Sequence, residues 1–81
     1  MREIQDESGR SWEAVAVETV GAHRRMGAKL GFRPADDREV EPLVTPITFN
    51  SDAAAEFAIT TMSEKELRRR LEIARSAAGR W

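Results

Sequence analysis

The chain has 81 residues, with 13 Lys+Arg against 14 Asp+Glu and a formal net charge of -1. That length allows one small domain, 1–81, with a thin core that buries only about 60% of the unfolded surface. The lack of Cys excludes a disulfide framework and thiolate metal sites, the lone His excludes a His-rich cage, and a pI near 5.8 argues against a general polyanion binder.

Residues 2–20 read as a β-hairpin. Asp6-Glu7-Ser8-Gly9 is the turn, with Gly9 able to take a positive φ after a type I turn. Along the second strand Trp12, Ala14 and Ala16 share one face, and Val15 and Val17 share the other. Both faces carry apolar groups, so both are covered or the strand bends at a bulge. Residues 21–31 read as a Gly-punctuated connection carrying the basic cluster His23, Arg24, Arg25 and Lys29, with Met26 beside it. Residues 28–49 hold further strands, with Leu30 and Phe32 on one face and a turn at 34–38. Val40 to Phe49 is extended, and Pro42 and Pro46 place that strand at an edge or break it.

The remainder is helical. A short helix over 51–59 is capped by Ser51 or Asp52, and the β-branched run Ile59-Thr60-Thr61 ends it. A longer helix over 63–78 opens on the capping box Ser63-Glu64-Lys65-Glu66, with Met62 and Leu67 as the hydrophobic staple. Leu67, Leu71, Ala74, Ala78 and Trp81 recur on one face, and Gly79 is the stop. Glu64 with Arg68 and Glu66 with Arg70 are i,i+4 pairs. The fold class is α+β: a three- or four-stranded antiparallel meander, a short helix, and a C-terminal amphipathic helix packed on the sheet.

The charged start, with no apolar run behind it, does not read as a secretory signal, and no stretch approaches the roughly 20 apolar residues of a membrane span. The expected location is cytoplasmic, soluble or peripheral to the inner membrane. Catalysis is poorly served. His23 sits among arginines with no orienting partner, and the five serines lie at turns, caps and helix ends. Asp36-Asp37 suits a turn, Asp52 and Glu56 suit a helix start, and neither pair has a third metal donor. Gly21, Gly27 and Gly31 match no phosphate-loop spacing. Three successive arginines, Arg68-Arg69-Arg70, spread over about 200° of a helix and make no flat basic strip.

The opening Met1-Arg2-Glu3-Ile4 with Asp6-x-x-Gly9-Arg10-x-Trp12, the Leu30-Gly31-Phe32 strand and the Ser63-x-x-Glu66-Leu67 helix start resemble a family of short, mostly uncharacterised proteins of high-GC bacteria. The resemblance covers about half the chain. It implies a small strand-rich sheet with a C-terminal helix and brings no catalytic residues. Ala53–Ile59 and the tail to Trp81 depart from its pattern and are candidate binding segments. The expected function is that of a non-enzymatic accessory subunit, with no cofactor, metal or small-molecule substrate. It docks on a larger protein assembly, such as the cytoplasmic side of a photosynthetic or respiratory membrane complex. Arg24, Arg25, Met26, Phe57, Arg68, Arg69 and Trp81 are its partner-binding residues. The alternative is a small nucleic-acid-binding regulator using the Arg24/Arg25 and Arg68–Arg70 clusters.

Overall fold

The computed structural model describes residues 2–20, 26–37 and 39–79. Four strands, β1 (Arg2–Gln5), β2 (Ser11–Val20), β3 (Met26–Pro34) and β4 (Leu43–Phe49), precede two helices, α1 (Asp52–Thr61) and α2 (Glu64–Ala78). The strands form one antiparallel sheet in chain order, so the meander has four strands and the fold is α+β.

Pairing Ile4 with Trp12, Ala14 with Phe32, Ala16 with Leu30 and Phe32 with Leu43 places these residues on one face. Ile59 of α1 and Leu67, Leu71 and Ala74 of α2 close the core over that face. No described helix or strand covers the opposite face. The apolar groups on both sides of β2 are therefore explained without a bulge in β2: Val15 and Val17 lie on the uncovered side, half-buried among their neighbours. The irregularity falls in β4 instead. Gly31 faces Val44 and Lys29 faces Thr48, so Thr45, Pro46 and Ile47 oppose the single residue Leu30. Two extra residues preserve the side-chain alternation, and Leu43, Thr45, Ile47 and Phe49 all keep the core side. Thr45 Oγ1 bonds the Leu30 carbonyl across the gap (2.8 Å), and Pro46 sits where no ladder donor is needed.

Several boundaries differ from the sequence reading. Gly27 and Gly31 lie inside β3 rather than in a connection, and Pro34 ends that strand. Gly31 is there because a Cβ would come within 2.7 Å of Val17 Cγ2. The extended stretch begins as strand only at Leu43. The first helix does not end at Ile59. Ile59 is buried and anchors it, while Thr60 and Thr61 satisfy their hydroxyls on the Glu56 and Phe57 carbonyls (2.8 and 2.9 Å), which suits them to the last turn. Ser51 is its N-cap. In α2, Ser63 accepts from the Glu66 amide (3.1 Å) and Gly79 takes φ 67°, as the cap signals require. Ala78 is exposed, so the buried stripe stops at Ala74.

α1 has no basic residue in its last turn. Arg2 of β1 supplies that charge, donating to the carbonyls of Ile59 and Met62.

Replacing Gly31 by Ala is expected to cost about 1–2 kcal/mol. The penalty should shrink in a Val17→Ala background, because Val17 is the obstacle; equal penalties in both backgrounds, measured by urea unfolding, would place the strain elsewhere.

Candidate functional site

The hairpin tip is built on Asp6. Its Oδ1 accepts from the Ser8 amide (2.9 Å), the Ser8 hydroxyl (2.6 Å) and the Arg10 amide (3.0 Å). Its Oδ2 accepts from Trp12 Nε1 (2.9 Å) and from Arg75 Nη1 of α2 (3.3 Å). Gly9, at φ 87°, completes the turn by donating to the Asp6 carbonyl. The Trp12 ring is fully buried, with the Arg10 and Arg75 guanidinium carbons 5.2 and 5.6 Å from its centroid. Burial works to raise the Asp6 pKa, yet the hydrogen bonds from Ser8, Trp12 and Arg10 outweigh it and hold the group at about 2. This cluster joins β1, β2 and α2, and every hydrogen-bonding position of the carboxylate is committed to structure.

Other charges are similarly engaged. Glu13, only 3% exposed, pairs with Arg33 directly across the β2–β3 ladder (3.0 Å). Asp36 pairs with Arg10 (3.6 Å), and Asp37 accepts from the Glu39 amide, so this carboxylate pair serves its turn. Among the described residues, no group of three or more His, Asp or Glu is placed to hold a metal ion. No described helix is long and apolar enough to cross a membrane.

The three successive arginines have separate roles. Arg70 pairs with Glu66 (2.9 Å). Arg68 pairs with Glu64 (3.4 Å) and donates to the Gln5 carbonyl (2.7 Å). Asp6 and Arg10 are a hydrogen-bonded pair, so the alternation of antiparallel bonding turns the Gln5 carbonyl away from β2, to the free edge of the sheet. Arg68 therefore plugs an edge strand. Arg69, midway between buried Leu67 and Leu71, points away from the core about 160° round the helix from each and makes no ion pair. Lys65, one turn earlier, is likewise unpaired.

Phe57 stands in the same relation to buried Ala55 and Ile59 and is 71% exposed. Ile73 of α2 is 52% exposed. The outer surface of the helical layer thus presents Phe57, Ile73, Lys65 and Arg69. A cleft of about 270 Å³ between the hairpin tip and α2 is lined by Asp6, Glu7, Lys65, Arg68, Arg69 and Glu72, three acids and three bases.

Of the sequence-derived partner residues, Phe57 and Arg69 lie on this surface. Arg68 is half committed to the sheet edge. Met26 is the first residue of β3 rather than part of a loop, and its side chain, like Arg24, Arg25, Trp81 and His23, lies outside the described residues. Sequence reasoning missed Arg75 and the buried Asp6 and Glu13. The signal for Asp6 was present in Asp6-x-x-Gly9-Arg10-x-Trp12, where a Trp six residues after a turn Asp needs a partner for its indole N–H. No family model, curated protein or solved structure matches the chain.

Asp6→Ala would leave the Trp12 indole N–H buried and unpaired, an expected loss of about 3 kcal/mol and a Tm drop of about 10–20 °C. Because the folded pKa of Asp6 lies below its unfolded value, its contribution is present above about pH 4 and is lost as pH falls through about 2. The stability gap between wild type and Asp6→Ala, followed by urea unfolding, should narrow over that window; a constant gap would contradict the assignment. Arg68→Ala is expected to promote aggregation on heating by unmasking the β1 edge, whereas Arg69→Ala should change neither Tm nor light scattering.

Proposed function

We propose that this chain is a non-enzymatic accessory subunit that docks on a larger protein assembly through the outer surface of its helical layer. The observation that carries the reading is Phe57, a large aromatic 71% exposed at the centre of the outward face of α1. Exposed aromatics flanked by arginine are the side chains that dominate protein interfaces when desolvated. Arg69 and Lys65 give the surface unpaired positive charge, so the partner is a protein face with an apolar pocket rimmed by acidic groups. The cytoplasm-facing side of a membrane-bound bioenergetic complex is one such assembly, where acidic subunits and anionic headgroups lie together.

The nucleic-acid reading draws less support. Arg68 and Arg70 are tied to Glu64, Gln5 and Glu66, and the cleft beside α2 is balanced in charge. Phosphate recognition needs several unpaired cations converging on one strip.

The test is co-purification of the full chain from native membranes and soluble extract at moderate salt. A stoichiometric protein partner that is retained by wild type and lost with Phe57→Ser and with Arg69→Glu is expected, both variants keeping the wild-type circular dichroism. Retention by both variants would overturn the proposal. Binding of a short DNA or RNA duplex with a steep salt dependence would replace it with the nucleic-acid reading.

A further inference from the structure

The uncovered face of the sheet is a second surface, separate from the helical layer. In register order it carries Glu3, Glu13, Arg33 and Pro42 at one level, and Val15, Gly31 and Val44 at the next. Val17, Lys29 and Thr48 follow. Val44 is 46% exposed. The acids stand on β1 and β2 and the bases on β3, so the face is neutral overall but charged oppositely on its two halves. Glu3 and Lys29 make no ion pair within the chain.

This pattern is complementary to itself. A two-fold axis parallel to the strands reverses the strand order, laying β2 of one copy over β3 of the other and β1 over β4. At the first level Glu3 then lies beside the second copy's Arg33, and each Glu13–Arg33 pair lies over the reversed pair of its mate. At the second level Val15 meets the side-chain-free position of Gly31, and at the third Val17 meets the aliphatic stem of Lys29. A two-fold across the strands would instead set acid on acid. A partner of one charge sign would meet like charge over half the face, whereas a second copy meets opposite charge over both halves.

The size is adequate. Four strands about 4.8 Å apart and about 25 Å long give roughly 500 Å² a copy. That is about 1,000 Å² in total, the lower bound for a specific interface. Both sheet edges are closed to strand addition, β1 by Arg68 and β4 by Pro46 and its bulge, which leaves face-to-face packing as the mode open to the sheet.

We infer that the chain self-associates into a two-fold dimer through this open sheet face, with Val15, Val17, Gly31 and Val44 at the contact and Glu3 reaching the second copy's Arg33. The interface is of modest size, so association is concentration-dependent. The dimer leaves both helical layers outward, each with its own Phe57 and Arg69.

Sedimentation equilibrium on the full chain, from low micromolar to several hundred micromolar, tests this. The mass is expected to rise from 9.1 kDa toward twice that value. Val15→Lys should weaken association by about tenfold or more with an unchanged circular dichroism spectrum. Should Val15→Lys fail to fold, Val44→Glu at the exposed edge of the same face serves in its place. Glu3→Lys should weaken association, and added salt should narrow its difference from wild type. Phe57→Ser should dimerise as wild type does, which separates this inference from the helical-layer proposal. A mass fixed at 9.1 kDa throughout, or dimers of Val15→Lys or Val44→Glu as tight as wild type, would overturn it. So would a foreign protein whose capture by a monomeric wild type is lost with Val44→Glu.

Discussion

The fold turns on one buried carboxylate. Asp6 draws two turn amides, a hydroxyl, an indole N–H and a guanidinium onto its two oxygens. Those donors come from the hairpin turn, from the start of β2 and from the second half of α2, three parts of the chain separated by up to 69 residues. A small sheet with a thin core has little area with which to fix the angle of a helix. Here a charge-assisted network sets it, with the Trp12 ring held between two guanidinium groups as the apolar counterpart.

With α2 fixed, the other contacts follow. Its first turns lie beside β1, which lets Arg68 cover the edge carbonyl of Gln5. The chain enters α2 from α1 at Met62, and Arg2 gathers the carbonyls at that junction. The result is a sheet with one face filled, two edges protected and one face open, beneath a helical layer that keeps Phe57 and Arg69 outward. The buried acids and most of the paired arginines maintain this frame, so the surface with unspent chemistry is small and well defined. It consists of an aromatic side chain and two cations on one side, and a neutral, partly apolar face on the other.

The sequence was most legible where local chemistry decides structure. The Ser63 cap, the Gly79 stop, the Gly9 turn and the Leu67-Leu71-Ala74 stripe are governed by residues within one or two turns of each other, and each is present as read. It was least legible where distant residues decide. The Gly27 and Gly31 spacing suggested a loop because the need for Gly31 comes from Val17 on the neighbouring strand. The Ile59-Thr60-Thr61 run suggested a helix end because the burial of Ile59 against the sheet outweighs its local preference. The run of three arginines looked like one basic cluster, but Gln5, more than 60 residues away, claims Arg68. Phe57 was picked out correctly as a surface aromatic, while Arg75 carried no local mark of its contact with Trp12.

The central claim is that Asp6, Trp12 and Arg75 form the joint between the hairpin and α2. Hydrogen exchange at the Trp12 indole N–H, followed by NMR on the full chain, reads that joint directly. The account predicts exchange only through global unfolding, with a protection free energy equal to the stability measured by denaturant. Exchange at the rate of an exposed indole, with the β2–β3 backbone amides still protected, would contradict it.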